Sequence, residues 1–132
     1  MKISKKEDFS LIFMSILAKE YSDKYIPLSY VAERANFSVL FLKHIASALL
    51  KKGLVESKEG IGGGYRLSRK PKSISISEIL EAITSNRIFV PCEKSSCHVK
   101  KKECACHSLW DNLSSKMSSY LKAISLAEFV NQ

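Results

Sequence analysis

The sequence has no long apolar run. No stretch approaches the roughly 18 apolar residues that a membrane-spanning helix requires, and the opening residues MKISKKED are charged where a secretory leader would be apolar. These absences predict a cytoplasmic protein. With 132 residues, the chain can bury a core of its own without cross-links or a structural metal.

Glycine is also scarce, because the chain has five glycines and all of them fall between Gly53 and Gly64. A phosphate-binding loop would need a helix that opens on such glycines, with a Lys-Ser or Lys-Thr pair in the commonest type. Here Tyr65-Arg66-Leu67 follows and has the character of a strand. Nucleotide binding by this segment is therefore not expected.

The cysteines lack the CxxC pairs that are typical of structural zinc sites. All four cysteines and two of the three histidines lie in one stretch, with four, six and one residues between successive thiols: Cys92, Cys97, His98, Cys104, Cys106 and His107. Thiols stay reduced in the cytoplasm, so clustered cysteines indicate metal or redox chemistry more often than disulfides. Soft thiolates favour an iron–sulfur cluster, while zinc binding and metal-free thiol or disulfide chemistry stay open.

No catalytic constellation is recognisable, and we do not expect an enzyme. Cysteine and histidine neighbours occur, but no pocket or orienting acid for them can be located in the sequence. A small zinc or thiol protein without a role in DNA binding is the remaining alternative of another class.

Acidic residues are fewer than basic residues in the N-terminal half of the chain. Residues 1–72 carry 14 Lys and Arg against 7 Asp and Glu, whereas residues 73–132 carry 7 against 6, within a total net charge of +8. A concentrated positive charge suits a polyanion such as DNA, because binding to phosphates releases counterions. The positive charge alone does not distinguish DNA binding from a role in keeping the protein soluble.

Apolar periodicity in this half predicts three helices. Ser4-Lys5-Lys6-Glu7 fits a capping box that opens a first helix over about residues 4 to 21. A second helix is expected over about residues 29 to 35. A third helix is expected to run from its N-cap, Ser38, to about residue 52, where Gly53 would end it.

The third helix has two faces. It is expected to bury Leu42, Ile45, Leu49 and Leu50 and to expose Lys43 and His44. Two short helices joined by a tight turn, the second with exposed basic residues, are the pattern of a helix-turn-helix.

Two strand-like runs follow, at about residues 54–58 and 65–68, with the segment EGIGGG between them. A hairpin directly after a recognition helix is a wing. Glycine suits its tip because glycine admits positive φ and lets the backbone approach a surface closely. The predicted fold class is mainly α-helical with a small β-hairpin wing, and residues 1–72 form a winged helix-turn-helix.

Residues 73–132 are predicted to complete the same structural domain. Ser75-Ile76-Ser77-Glu78 is a capping box that opens a short helix. A cysteine-rich loop is expected over about residues 88–107, a long helix over about 108–124, and a last helical turn capped by Ser125. Apolar residues spaced by three and four along the long helix favour a dimerisation face, although this face could instead cover the chain's own winged helix. The expected interface residues are Trp110, Leu113, Met117, Tyr120, Leu121 and Ile124.

Several motifs together resemble the Rrf2 family of winged-helix transcriptional regulators. They are KGLV at 52–55, the wing GIGGGYRL at 60–67, the pair Ile79 and Leu80, and CACHSLW at 104–110. The resemblance covers nearly the whole chain and is closest in pattern to the IscR branch. It implies a dimeric transcription factor whose DNA affinity responds to an iron–sulfur cluster, held by three cysteines and a fourth ligand of another type.

The resemblance also implies a ligand set. Cys92, Cys97 and Cys104 match the family's three cysteines, although their intervals differ by one residue from the IscR pattern, and His107 takes the place of the histidine ligand. Asp8 lies where the NsrR branch places a carboxylate from the partner subunit. Cys106 is an additional thiol that could replace Cys104 or His107. A [2Fe–2S] cluster is favoured over [4Fe–4S].

Base reading is expected from the third helix, and backbone or groove contacts from the first two helices and the wing. The expected DNA-binding residues are Lys2, Lys5, Tyr30, Ser38, Leu40, Lys43, His44, Lys58, Gly62 and Tyr65. Two positions depart from the IscR branch: Glu59 stands where an arginine precedes the wing glycines, and Lys43 stands where the branch has an acidic residue. The operator preference of that branch is therefore not expected to carry over.

Together, the residues and the resemblance predict a homodimeric regulator, expected to be a repressor, that binds palindromic promoter DNA. Its signal would be iron–sulfur status, redox state or nitric oxide. The alternative within the family is a clusterless regulator of the CymR branch, which would sense through a partner protein or through thiol oxidation.

Overall fold

The computed structural model describes residues 4–84 and 103–131. Within these ranges the elements, in chain order, are α1 (Lys5–Lys19), α2 (Leu28–Ala35), α3 (Val39–Lys51), β1 (Val55–Lys58), β2 (Gly64–Leu67), α4 (Ile76–Ile83), α5 (Ala105–Ala123) and α6 (Leu126–Val130). A 3₁₀ turn at Pro71–Ser73 precedes α4. The predicted class, mainly α-helical with a small hairpin, is confirmed. The predicted site residues Lys2, Cys92 and Cys97, and most of the predicted cysteine-rich loop, lie outside the described residues.

Short polar signals set the ends of several helices. At α4, the Ser75 hydroxyl accepts the N–H of Glu78 at 3.2 Å and the Glu78 carboxylate accepts the N–H of Ser75 at 2.9 Å, which is the predicted capping box. Partial burial works to raise the pKa of Glu78, but the hydrogen bonds from Ser75 and Arg69 outweigh it and hold that pKa below its usual value. Gly53, with φ of 70°, follows α3 and donates to the carbonyl of Leu50 at 3.0 Å.

A single core joins α1, α3, α4 and α6. The largest fully buried side chains from these helices include Phe13, Met14, Leu17, Leu42, Ile45, Leu49, Ile79 and Leu126. Three of the four core positions predicted in α3 are confirmed. Leu50 is the exception, with 41% of its surface exposed, because it lies about 100° round the helix from Leu49 and past the edge of the buried face.

The wing is a two-stranded antiparallel hairpin that pairs Val55 with Leu67 and Lys58 with Gly64. A third segment extends it, since Ile26 and Tyr65 exchange two backbone hydrogen bonds of 2.8 Å. Gly64 has φ of 139°, and a Cβ there would overlap the carbonyl of Ile26. Glycine is therefore required where β2 runs beside the segment between α1 and α2.

Helix α5 begins three residues before its predicted start at Ser108. Cys104 is its N-cap, and the Cys104 sulfur accepts the backbone N–H of His107 at 3.4 Å. Cys106 and His107 therefore lie in the first turn of α5, and the prediction that they belong to a loop was wrong. The residues that usually occupy an N-cap accept the hydrogen bond with a side-chain oxygen, whereas at the start of α5 the acceptor is the sulfur of Cys104.

The end of the chain returns to the winged helix. Ile76 donates its N–H to the carbonyl of Ile124 at 3.0 Å, and Leu126 donates to the carbonyl of Ile74 at 2.7 Å. Leu126 is fully buried in the core. No helix in the described ranges is long and apolar enough to cross a membrane.

Candidate functional site

The turn between α2 and α3 is fixed by backbone geometry and by three aromatic rings. Asn36 closes α2 in the left-handed region, with φ of 51°, and Phe37 donates its N–H to the carbonyl of Ala32 at 3.1 Å. The ring of Phe37 lies 4.3 Å from that of Phe9 and 4.6 Å from that of Phe41, centroid to centroid. These contacts link α1, the turn and α3, so the two helices of the predicted helix-turn-helix are held in a fixed relation.

Helix α3 presents a mixed polar and apolar face to solvent. Lys43 and His44 are exposed, as predicted, and Leu40 has 69% of its surface exposed. Ser38 is exposed too, but its hydroxyl accepts the N–H of Phe41 at 3.2 Å and therefore serves as the N-cap. Val39, which the sequence reasoning did not single out, is 46% exposed beside Leu40. Both apolar residues lie in the first turn, the part of a recognition helix that approaches base edges.

Tyr30 on α2 is already engaged within the chain. Its hydroxyl donates to the Glu20 carboxylate at 2.8 Å, and this hydrogen bond raises the pKa of Tyr30. The guanidinium of Arg34 lies 4.4 Å from the centre of the Tyr30 ring. Arg34 is thus an exposed cation on α2 that sequence reasoning missed, while Lys5 is exposed at the start of α1.

The base of the wing is braced from two sides. The Tyr65 ring meets the Phe13 ring edge to face, with centroids 6.0 Å apart, so Tyr65 is an anchor of the wing as well as a predicted DNA contact. Arg66 donates to the Glu56 carboxylate at 2.9 Å and to the Asp23 carbonyl at 2.8 Å. Its guanidinium also stacks on the Tyr25 ring at 4.5 Å. The strands of the wing are thereby fixed against the segment that precedes α2.

Beyond this base lies the tip of the wing, where residues 59–62 are exposed. Lys58 is exposed, with its Nζ 6.0 Å from the Tyr25 ring centre. Gly62 has φ of 75°, as a tight turn requires. Ile61, which the sequence reasoning also missed, is fully exposed between Gly60 and Gly62. Its exposure follows from the turn geometry, which composition and periodicity do not predict.

The described part of the predicted metal site lies at the start of α5. Cys104 is half-buried, Cys106 is exposed, and both are free thiols. The Nδ1 atom of His107 is buried, and it has no hydrogen-bond partner among the described residues. Asp8 is exposed in the first turn of α1. Within residues 4–84 and 103–131 of one chain, no three His, Cys, Asp or Glu side chains come together as a metal site.

The predicted interface residues on α5 and at its C-cap differ in how far they are buried. Leu121 and Ile124 pack against the chain's own core, whereas Tyr120 has 67% of its surface exposed. Trp110, Leu113 and Met117 are half-buried. No described residue of α5 is fully buried, and Leu109 is 58% exposed. One end of the helix therefore contacts the winged-helix core while much of its length leaves apolar surface uncovered.

A helix-turn-helix with an exposed basic second helix and a braced hairpin directly after it defines a winged-helix DNA-binding protein. The chain belongs to the Rrf2 family, described as iron-dependent transcriptional regulators, whose family model matches residues 3–132.

Individual relatives agree with this assignment. The chain is 34% identical to the HTH-type transcriptional regulator IscR of Aliivibrio salmonicida, over 98% of this chain and 77% of that protein. It superposes on CymR, the global cysteine regulator of B. subtilis, with a TM-score of 0.84 at 26% identity, covering 99% of this chain and 97% of that one. T. potens IscR gives a TM-score of 0.81 at 26% identity, covering 99% and 87%. These relatives are regulators rather than enzymes, and the chain is an IscR-like, DNA-binding transcriptional regulator.

Proposed function

We propose that the chain is a homodimeric repressor whose affinity for palindromic promoter DNA is controlled by an iron–sulfur cluster. The proposed ligands are Cys92, Cys97, Cys104 and His107, with Asp8 of the partner subunit or Cys106 as alternatives for one position. The observation that carries the proposal is the start of α5, where a half-buried thiol lies within one helical turn of a buried imidazole nitrogen that has no hydrogen-bond partner among the described residues.

The donors at this helix start fit such a cluster. A thiolate sulfur and an imidazole nitrogen are both known ligands of iron in iron–sulfur centres. The Cys104 sulfur lies at the helix N-terminus and accepts a backbone N–H, a position that favours negative charge on a ligand. A buried nitrogen without a partner costs free energy unless something binds it, so His107 Nδ1 is suited to a metal. When bound, the cluster would supply an oxidisable and nitric-oxide-reactive group that can also be lost when iron or sulfide is scarce.

A path of direct contacts connects this helix start with the DNA-reading helix. Helix α5 is continuous from Ala105 to Ala123, and the next residue, Ile124, accepts the N–H of Ile76 at the start of α4. Helix α4 packs on α3 and on α1. Movement of α5 on loss of its ligand would therefore be transmitted to the α3 surface that carries Leu40, Lys43 and His44.

The uncovered apolar surface of α5 supports a dimer. A 19-residue helix without a fully buried residue in the described single chain needs a partner surface. A two-fold axis beside α5 would place two copies of α3 about one DNA turn apart, roughly 34–36 Å, and so would require a palindromic operator. Because two of the proposed ligands, Cys104 and His107, lie at the start of α5, ligand loss would change the spacing of the two readers. We place this function in the cytoplasm, where promoter DNA is found.

The experiment that tests the cluster is anaerobic purification followed by iron and sulfide analysis and an absorption spectrum. We expect a brown protein with charge-transfer absorption and bound iron and sulfide. Colourless, iron-free protein after anaerobic cluster reconstitution would contradict the proposal.

The likeness to CymR favours a second candidate, a clusterless regulator that senses through a partner protein or through thiol oxidation. Cys106, an exposed free thiol, would be accessible for that chemistry. The two candidates differ in one measurement: iron chelation changes operator affinity only for the cluster-controlled regulator, whereas thiol oxidation changes it for the clusterless one.

A further inference from the structure

The wing has one face toward the core and one toward solvent. Glu56 pairs with Arg66 across the hairpin, and Lys58 follows two residues later on β1. Because side chains alternate between the two faces of a strand, these three charged side chains share one face. The alternate positions include Val55 and Leu67, which are buried in the core. The charged side chains therefore lie on the face of the wing that is turned away from the core.

The ring of Tyr25 lies beside this charged face. Ile26 pairs antiparallel with Tyr65, which sets the preceding residue, Tyr25, next to Arg66 on β2. The guanidinium of Arg66 lies 4.5 Å from the centre of the Tyr25 ring and also donates to the carbonyl of Asp23 at 2.8 Å. Arg66 therefore holds the half-buried Tyr25 ring against the wing.

A second cation, Lys58, approaches the same ring. Its Nζ atom lies 6.0 Å from the centre of the Tyr25 ring, about the distance at which an aromatic face begins to attract a cation. Gly64, the partner of Lys58 across the hairpin, has no side chain on this face, so the lysine extends across β2 toward the ring. The ion pair of Arg66 with Glu56, at 2.9 Å, limits the repulsion between the two cations.

This arrangement restricts the Lys58 side chain without occupying its hydrogen-bond donors. Within residues 4–84 and 103–131, the ion pairs are those of Arg66 with Glu56 and of Arg69 with Glu78, so Lys58 has no carboxylate partner there. A lysine loses much rotamer freedom when it is fixed on a ligand. A ring that already favours one position of the ammonium lowers this entropic cost and leaves its N–H donors for a phosphate oxygen.

We propose that Tyr25 is a positioning residue for a contact between Lys58 and a phosphate of the operator backbone, and that Arg66 holds the Tyr25 ring in place. This inference rests on the DNA-binding function proposed above. It assigns a role to a residue that lies before α2, outside both the recognition helix and the hairpin. The ring itself does not touch DNA, because it acts on the backbone contact through the lysine.

The first part of the test asks whether Lys58 contacts a phosphate. It uses a duplex that the full-length wild-type protein selects from a randomised pool, with affinities measured from about 50 to 200 mM salt. Lys58→Ala should reduce the slope of log K against log salt by about one for each protomer, because each protomer loses one phosphate contact. An unchanged slope would overturn the inference.

A double-mutant cycle then shows whether Tyr25 acts through Lys58. Tyr25→Leu should weaken binding by about two- to fivefold per protomer in the wild-type background. It should have no further effect in the Lys58→Ala background, where the lysine is already gone. Tyr25→Phe keeps the ring and should bind like wild type. Equal losses from Tyr25→Leu in both backgrounds, or a loss from Tyr25→Phe as large as that from Tyr25→Leu, would overturn the inference.

Arg69→Ala is the matched control for Arg66→Ala. Each arginine pairs with a glutamate, Arg66 with Glu56 at 2.9 Å and Arg69 with Glu78 at 2.6 Å, so each variant removes one paired cation. Arg66→Ala should weaken binding about as much as Tyr25→Leu, and Arg69→Ala should not weaken it. Equal losses for the two arginine variants would trace the effect to net charge and overturn the inference alone. Failure of wild type to select any duplex would overturn the proposed DNA-binding function itself.

Discussion

The backbone N–H of His107 points at the sulfur of Cys104, 3.4 Å away, and this contact begins helix α5. Cys104 is therefore both the N-cap of a long helix and a proposed metal ligand. A ligand on a helix cap is well placed for sensing, because a change in its bonding alters the end of a rigid element rather than a loop.

Cys104→Ser should separate these two roles. Serine is among the best N-cap residues, so the thermal midpoint of the metal-free protein should stay within about 2 °C of wild type. The hard serine oxygen is a poor substitute for a soft thiolate, so iron content after anaerobic reconstitution should fall by more than about half. The measurement pairs iron analysis with thermal unfolding, and a Cys104→Ser protein that keeps the wild-type iron content would contradict the ligand set.

Cys106→Ser is the matched control for that variant. Cys106 is one helical position from His107 and exposed, and it is only an alternative for one position of the proposed ligand set. Its substitution should leave iron content and the absorption spectrum unchanged. Loss of iron from Cys106→Ser but not from Cys104→Ser would assign the third thiolate to Cys106 instead.

The fourth ligand is tested by comparing His107→Ala with Asp8→Ala. The Nδ1 atom of His107 is buried and has no partner in the part of the chain that the structure describes, so we expect that His107→Ala shifts the charge-transfer bands and lowers iron retention. Asp8 is exposed on α1, and Asp8→Ala should leave the spectrum unchanged. The reverse pattern, with a changed spectrum only for Asp8→Ala, would place the partner subunit's carboxylate in the site.

Leu40 is expected to contact a thymine methyl group in the major groove. Its side chain is 69% exposed at the start of α3, and thymine C5-methyl groups are the apolar feature of that groove. Replacing the contacted thymine with deoxyuridine should weaken wild-type binding about fourfold per methyl group. Leu40→Ala should bind the thymine and deoxyuridine duplexes equally, and a penalty that persists in this variant would show that another residue makes the contact.

Tyr120 tests the proposed dimer interface because its side chain is 67% exposed in the single chain, so substitution should not disturb the core. Tyr120→Glu would bury a carboxylate between two copies of α5 and should raise the dimer dissociation constant at least about 100-fold. Lys122→Glu is the control, since this exposed residue lies about 200° round the helix from Tyr120. Sedimentation velocity should show monomers for the first variant and dimers for the second; dimers for both would place the interface elsewhere.

Features that depend on neighbours in sequence could be predicted from the sequence. The Ser75–Glu78 capping box, the stop at Gly53 and the hairpin around the wing glycines each rest on a few adjacent residues whose backbone preferences agree. The buried face of α3 was also predictable, because helical periodicity sorts Leu42, Ile45 and Leu49 to one side.

Features that depend on distant contacts were not predictable in the same way. The pairing of Ile26 with Tyr65 joins residues far apart in the chain, and nothing local signals it. The start of α5 was missed because a cysteine sulfur replaces the usual oxygen cap. The exposure of Ile61 and the engagement of Tyr30 by Glu20 and Arg34 are likewise tertiary facts. Tyr30 is already bonded within the chain, whereas Ile61 is exposed and available to a partner.

The most direct test of cluster-controlled repression is the operator affinity of one anaerobic preparation, measured before and after the cluster is removed by chelation. Coupling between two sites on one protein typically changes affinity by about 5- to 150-fold. We expect a change of at least about tenfold, together with loss of the brown colour and no change in the thermal midpoint of the winged-helix core. Equal operator affinity for the two forms would contradict control by a cluster.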